Sequence, residues 1–251
     1  MAEAARRAEG LHGPTWIMAR EQTAARGRRG RPWVQPAGNL AATLIYKPEA
    51  TAAEAAKRSF LAANALFETL SIYVDRYALS LKWPNDVLLN GGKVAGILLE
   101  SAGRGPFVDW LSVGFGVNLQ AVPEGLTGPF PPVSLRGAGG QDVTPEDFLT
   151  VLASNYATQE GKLSALGFAR IREDWLRHAA KLGEVITART GQDVIKGIFD
   201  TVDEDGALVL ITGMGPRAIP AADVFFRSRS GGRGIPRLEV WSRGMPRPTQ
   251  S

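Results

Sequence analysis

A change of hydrophobic period near Lys181 limits the folds that this 251-residue chain can adopt. Before that point, three segments carry apolar residues at the spacing of amphipathic helices, namely residues 51–74, 144–156 and 168–176. After it, short runs of β-branched and aromatic residues alternate with turns such as Asp203–Gly206. The pattern predicts an α/β domain over residues 1–181 and a small all-β module over residues 182–226.

Local signals place the elements of the first domain. Thr51 and Glu54 form a capping box at the start of the clearest helix. The segment Asn90-Gly-Gly92 is typical of a hairpin between two short apolar runs. Further strands are predicted at residues 15–19, 40–46, 79–82, 87–89, 94–100 and within 107–119.

Composition excludes several kinds of chemistry. The chain has no cysteine, which rules out disulfides, a cysteine nucleophile and cysteine-based metal sites. Its two histidines, His12 and His178, are too few for a histidine-rich zinc site. No apolar run approaches the roughly 20 residues of a membrane span, and the first residues have no secretory pattern. We therefore expect a cytoplasmic protein without a membrane partner.

The net charge of +4 is concentrated at one end of the chain. Residues 227–251 hold six arginines against one acid, which leaves a net charge of −1 for residues 1–226. The composition of 227–251 predicts a disordered basic tail, for which the sequence indicates no function. A basic chain also makes nucleic acid a candidate partner.

Four arginines lie within six residues of a glycine-containing segment: Arg26, Arg28, Arg29 and Arg31. Glycine lets the backbone approach a ligand closely, and guanidinium groups offer paired donors to carboxylates and phosphates. The segment predicts a loop that wraps a polyanion. Taken alone, it is equally typical of a solvated basic loop or an RNA-binding tract.

Three further segments carry candidate binding groups. Lys82-Trp-Pro-Asn-Asp86 places an amide and a carboxylate beyond a strand, an arrangement suited to a nucleotide or Mg²⁺ but also to a simple turn. Lys93 lies at the start of an apolar strand. There it would either contact a ligand carboxylate or prevent further strand pairing at a sheet edge. Gly114 and Gly116 share one strand face with Asn118, which indicates either a ligand lying against the backbone or a bulge.

Together and in this order, the four segments resemble the biotin protein ligase family. The motifs that carry the resemblance are Gly-Arg-Arg-Gly-Arg-x-Trp (27–33), Lys-Trp-Pro-Asn-Asp (82–86), Gly-Lys-Val-Ala-Gly-Ile-Leu-Leu-Glu (92–100) and Gly-x-Gly-x-Asn (114–118). The resemblance covers about residues 1–226. It implies an α/β (α+β) fold: a mixed sheet with helices like that of class II aminoacyl-tRNA synthetases, followed by a small SH3-like barrel.

The resemblance also implies a reaction. ATP activates biotin to biotinoyl-5′-AMP, with Mg²⁺ as the metal, and a lysine of the biotin carboxyl carrier protein of acetyl-CoA carboxylase then accepts the biotinoyl group. Arg28 and Lys93 would be catalytic. The biotin site would comprise Gln22, Arg26, Gly27, Arg28, Lys93, Gly96, Gly114 and Gly116. The ATP side would comprise Arg28, Arg31, Trp33, Lys82, Asn85, Asp86 and Asn118, with Asp86 as the Mg²⁺ ligand.

The chain departs from the family pattern in three places. Family members carry an apolar strand and a Ser/Thr-Thr-Asn turn before the point where this chain begins, so we expect one strand and part of the biotin pocket to be missing. Ala25 stands where the family has glycine. The segment 227–251 has no counterpart. A helix-turn-helix domain is also not seen, so specific DNA binding is not expected.

Three alternatives stay open. A lipoate-type ligase belongs to the same superfamily, whereas octanoyl transferases require the cysteine that this chain does not have. An inactive homologue would bind biotin or the carrier without turnover. A nucleic-acid-binding protein would use the arginines, but that role does not explain Asp86, Lys93 or the paired glycines.

An edge strand of the sheet would allow a homodimer or a carrier contact by sheet extension.

Overall fold

The computed structural model describes residues 1–23, 25–27, 30, 33–123, 125 and 128–226. The predicted catalytic Arg28, its neighbour Arg31 and the predicted disordered tail 227–251 lie outside the described residues. Among the described helices, none is long and apolar enough to cross a membrane.

The first domain is built on a six-stranded sheet with the order β1-β2-β6-β5-β4-β3. Its strands are β1 (Thr15–Met18), β2 (Leu40–Tyr46), β3 (Leu79–Lys82), β4 (Asp86–Leu89), β5 (Gly92–Ala102) and β6 (Trp110–Val117). All the pairings between these strands are antiparallel. Single parallel bridges join Leu81 to Ala179 and Lys93 to Pro132. The predicted α/β class is confirmed, with parallel pairing limited to such bridges in the described part of the sheet.

Two long helices cover one face of this sheet, and a short helix α1 (Ala2–Arg7) precedes β1. Helix α2 (Ala52–Leu70) begins with the predicted capping box, in which the amide of Glu54 donates to the Thr51 hydroxyl and the Glu54 carboxylate accepts from the Thr51 amide. The ring of Phe60, which lies on this helix, packs edge-on against Trp175 with the ring centroids 5.3 Å apart. The core between sheet and helices is therefore apolar and aromatic.

Helix α3 (Pro145–Leu176) joins the two predicted segments 144–156 and 168–176 into one element. The two halves are separated at Gly167, whose φ of 74° is not helical. Glycine adopts this left-handed conformation without the steric cost that a Cβ imposes. The sequence pattern thus located both halves of the helix, and the glycine marks the break between them.

The second domain is a five-stranded antiparallel sheet with the order β10-β9-β8-β7-β11. Its strands are β7 (Val185–Arg189), β8 (Val194–Val202), β9 (Leu208–Thr212), β10 (Gly215–Ile219) and β11 (Asp223–Phe226). The turn before β9 packs on the first domain, where the indole of Trp83 donates to the carbonyl of Gly206 over 3.1 Å. This contact fixes the second domain beside the segment Trp83–Asp86, which belongs to the candidate site.

Candidate active site

A cavity of about 370 Å³ lies on the first sheet and is closed on one side by the second domain. The strands β5 and β6 form its floor. Because successive residues of a strand point to opposite faces, Gly114 and Gly116 face the cavity while Val113 and Val117 pack into the core. The residues predicted for the site that line this cavity are Gln22, Arg26, Gly27, Trp33, Lys82, Asn85, Asp86, Lys93, Gly96, Gly114 and Gly116.

Two lysines share one carboxylate at the centre of the site. The Nζ atom of Lys82 lies 3.1 Å from Asp86 Oδ2, and that of Lys93 lies 2.6 Å from Asp86 Oδ1. Antiparallel pairing of β3 with β4 sets Lys82 opposite Asp86, and pairing of β4 with β5 brings Lys93 close. The side chains of Lys82 and Asp86 are only 9% and 12% exposed, so this is a partly dehydrated cluster with a surplus of one positive charge.

Burial and the ion pairs act on the pKa values of this cluster in opposite directions. Burial alone would raise the pKa of Asp86, but the charges of Lys93 and Lys82 outweigh it and hold the pKa below its usual range. Burial lowers the pKa of Lys82, and the neighbouring Asp86 compensates only in part. Asp86 is thus a carboxylate at neutral pH, and it holds both ammonium groups at the cavity wall.

The geometry does not fit Asp86 as a Mg²⁺ ligand. Each of its oxygens already lies next to a lysine ammonium group, so a divalent cation there would face two positive charges at close range. Within the described residues, no group of three or more acidic, histidine or cysteine side chains is gathered around a common point. The sequence predicted a metal ligand at this position because Asn-Asp after a strand suits Mg²⁺, and the pairing with two lysines depends on strand register.

The indole of Trp33 lies directly on the glycine floor. A Cβ added at Gly116 would come within 2.6 Å of the Trp33 ring, and one added at Gly96 would lie 3.5 Å from it. The Lys93 ammonium is 5.5 Å from the centroid of the same ring. The close approach of the indole ring therefore requires a glycine at position 116, whereas a Cβ at position 96 would make only an ordinary contact with that ring.

The arginine loop is tied to the sheet at one described position. Arg26 forms an ion pair with Glu100 on β5, with 2.7 Å between guanidinium and carboxylate. The amide of Trp33 donates to the carbonyl of Ala25 over 3.4 Å and closes the base of the loop. These contacts hold Arg26 and Trp33 against the cavity side of the sheet.

Asn85 and Asn118 act within the scaffold as well as being predicted ATP contacts. The side-chain amide of Asn85 donates to the backbone carbonyl of Ile97. The backbone amide of Ile97 donates in return to the backbone carbonyl of Asn85. Asn118 is buried behind the cavity wall, where its amide donates to the carbonyl of Val133 over 3.2 Å. Asn118 is not among the lining residues, so its assignment to the ATP side stays a prediction.

Part of the cavity wall was not anticipated from the sequence. The segment 128–130 and the strand β11 contribute Gly128, Pro129, Phe130, Asp223, Val224 and Phe225. The Pro- and Gly-rich composition of residues 121–140 indicated only a loop, and the β11 pattern indicated only a strand. Both reach the site through tertiary contacts that leave no periodic signal.

The fold and the cavity define an α/β enzyme domain with a cationic binding site and an attached β-domain that completes its wall. Residues 2–118 match the model of the biotin/lipoate A/B protein ligase family, and residues 181–227 match that of the biotin protein ligase C-terminal domain. The chain belongs to the biotin protein ligase family.

Curated relatives agree with this membership, and a solved structure shares the fold. The biotin–[acetyl-CoA-carboxylase] ligase of Paracoccus denitrificans is 53% identical over 229 residues, which cover 90% of this chain and 95% of that protein. The bifunctional ligase/repressor BirA of Bacillus subtilis is 29% identical over 84% of this chain and 65% of its own length. The biotin protein ligase of Aquifex aeolicus in complex with biotin and ATP superposes with a TM-score of 0.73 at 23% identity, covering 88% of this chain and 92% of that one.

Proposed function

We propose that the protein activates biotin with ATP to give biotinoyl-5′-AMP and pyrophosphate, and then transfers the biotinoyl group to a lysine of a biotin carboxyl carrier protein. The acceptor would be the carrier subunit of acetyl-CoA carboxylase. The observation that carries the proposal is the paired Lys82 and Lys93 on Asp86 beside a glycine-floored cavity. The 53% identity to a ligase of this activity supports it over most of the chain.

The first step joins two anions, and the site supplies cations in advance. An oxygen of the biotin carboxylate attacks the α-phosphorus of ATP, and the bond to the pyrophosphate leaving group breaks. Lys93 would neutralise the biotin carboxylate and the α-phosphate as they meet. Donors that are fixed before the reaction need no reorganisation in the transition state, which makes such stabilisation effective. Asp86 would keep Lys93 in place, and Lys82 would extend the positive surface towards ATP.

The second step needs an uncharged acceptor amine. The ε-amine of the carrier lysine attacks the carbonyl carbon of biotinoyl-5′-AMP, a C–N bond forms and AMP leaves, while the amine loses a proton. Holding the mixed anhydride in a fixed cavity supplies most of what this step requires, because positioning replaces a chance encounter.

The other predicted site residues keep their proposed roles. Arg28 would contact the adenylate phosphate and the biotin carboxylate, and Arg31 would border the nucleotide. Arg26, in the same arginine loop, is held by Glu100. Gln22 and Gly27 would border the biotin site, Trp33 would border the nucleotide, and Gly96, Gly114 and Gly116 would form the floor of the biotin site. We keep Mg²⁺ as the counter-ion of ATP and assign it no protein ligand. We place the reaction in the cytoplasm because the reaction consumes ATP, which the cytoplasm supplies.

Biotin-dependent ATP–pyrophosphate exchange tests the first step directly. We expect exchange with biotin but none with lipoate, followed by labelling of the carrier lysine. Exchange that depends on lipoate would favour the lipoate-type ligase, which the matched family model also includes. Tight biotin binding without exchange would favour an inactive homologue. Light scattering with and without biotin tests the homodimer that the edge strand β1 would allow.

Replacing Gly116 by alanine is expected to raise the KM for biotin about 10-fold, with a smaller effect on stability. The new methyl group would meet the Trp33 ring at 2.6 Å, so the indole has to shift into the cavity space. Steady-state kinetics of pyrophosphate exchange measure this effect.

Gly161 on α3 offers a matched control, because an alanine there meets nothing within 4 Å. Gly161→Ala should leave the KM for biotin unchanged and stabilise the helix slightly. An unchanged KM in Gly116→Ala would contradict the assignment of Gly116 to the biotin floor.

A further inference from the structure

The segment Gly128–Val133 contacts both lysines of the active site by different means. The ring of Phe130 lies under the Lys82 ammonium, with 4.6 Å between Nζ and the ring centroid. The backbone beyond it pairs with Lys93: the Lys93 amide donates to the carbonyl of Pro131 over 2.9 Å, and the Val133 amide donates to the carbonyl of Lys93 over 3.0 Å. One short segment therefore contacts the ammonium group of Lys82 and holds the backbone of Lys93.

Lys82 needs a further partner besides Asp86. Its side chain is 9% exposed, the Asp86 carboxylate next to it is shared with Lys93, and the charge of Asp223 acts on it more weakly than that of Asp86. A dehydrated ammonium group is stabilised by the negative face of an aromatic ring within about 6 Å of the centroid. The ring of Phe130 meets this condition, so it replaces part of the lost hydration of Lys82.

The second domain sets the position of that ring. Phe226 on β11 packs against Phe130 at right angles, with the two ring centroids 4.6 Å apart. Phe226 is in turn held by the pairing of β11 with β7, where it lies opposite Ile186. The neighbouring Val224 and Phe225 line the cavity itself. A displacement of the second domain would therefore remove the support of Phe130.

We infer that Phe130 is a positioning residue for Lys82, and that Phe226 makes this positioning depend on the docked second domain. The inference rests on the proposed function, because Lys82 is assigned there to the ATP side of the site. It gives the second domain a specific task in the first step: holding the aromatic ring on which Lys82 lies.

The variants Phe130→Leu and Phe226→Leu test the inference. Leucine keeps most of the apolar volume but has no aromatic face, so Phe130→Leu should lower kcat/KM for ATP about 3- to 30-fold in biotin-dependent pyrophosphate exchange. The KM for biotin should stay within about twofold of the wild type. Phe130→Trp, which keeps an aromatic face, should recover most of the loss.

A double-mutant cycle separates positioning from a general loss of structure. If Phe226 acts through Phe130, then the double variant should be no worse than Phe130→Leu alone, whereas independent effects would multiply. Phe107→Leu is the matched control, because Phe107 is 56% exposed and is not among the residues that line the cavity. It should leave every kinetic constant unchanged.

Two results would overturn the inference. One is an unchanged kcat/KM for ATP in Phe130→Leu, and the other is an equal loss for ATP and biotin that follows a lower melting temperature and is not recovered by tryptophan. ATP affinity measured by calorimetry on the same variants extends the test beyond turnover. A wild-type protein without exchange would refute the proposed function, while a weaker ATP affinity in Phe130→Leu would still support the positioning of Lys82.

Discussion

Replacement of Lys93 by alanine is expected to slow biotinoyl-5′-AMP formation about 100- to 1,000-fold, the effect of removing one fixed donor from a transition state. Lys93 lies 2.6 Å from Asp86 and borders the glycine floor at Gly96, so it stands where a carboxylate and a phosphate would meet. Its loss leaves Asp86 paired with Lys82, and the fold should therefore be retained. A pyrophosphate-release assay at saturating ATP and biotin measures the effect.

Lys196 provides a control of the same chemistry, because it is an exposed lysine on β8 of the second domain. Lys196→Ala removes the same charge from the protein as a whole and should leave the rate unchanged. Comparable rates for Lys93→Ala and the wild type would remove Lys93 from the catalytic step, whatever the control shows.

Replacement of Asp86 by asparagine is expected to destabilise the fold by about 3–5 kcal/mol, in addition to its effect on activity. The substitution leaves two ammonium groups close together, with side chains only 9% and 29% exposed and no negative charge between them. Urea denaturation at neutral pH measures the free energy of unfolding. Asp205→Asn is the control, because its ion pair with Lys57 is 3.6 Å long, Asp205 is 81% exposed, and such pairs contribute about 1 kcal/mol or less.

The difference in the free energy of unfolding between the wild type and Asp86→Asn should become smaller as the pH falls. The two lysines hold the pKa of Asp86 below its usual range in the folded protein, against the effect of burial. The carboxylate therefore stabilises the fold fully above its unfolded pKa, and this contribution is lost as the pH falls through the folded pKa. The gap in stability between wild type and variant should narrow below about pH 4. A gap that widens in acid would refute the ion-pair role of Asp86.

Features set by neighbouring residues were predictable from the sequence. The capping box at Thr51 depends on two side chains three residues apart, and it forms as predicted. The hairpin between β4 and β5 turns at Asn90 and Gly91, whose φ values of 52° and 80° are the left-handed pair that Asn-Gly favours. The halves of α3 follow the helical period on either side of Gly167. In each case the determining interactions lie within a few residues along the chain.

Features set by register were predictable only in part. The motifs identified Lys82, Asp86 and Lys93 as candidate ligand contacts, and the structure places all three around one cavity. The metal role predicted for Asp86 does not fit, because strand pairing puts an ammonium group next to each of its oxygens. A sequence pattern gives the residue types at a site but not which of them neutralise one another.

Sequence alone was sufficient for the family, the division into an α/β and an all-β part, and most of the charged residues that line the cavity. Those properties follow from local periodicity and from motifs that can be identified by their residues alone. Tertiary structure decided that Phe130 lies under Lys82 and that Phe226 supports it, since these residues are far apart in the chain and meet only through the docking of two domains. Contacts of that kind depend on the shape of both surfaces, which no short stretch of sequence encodes.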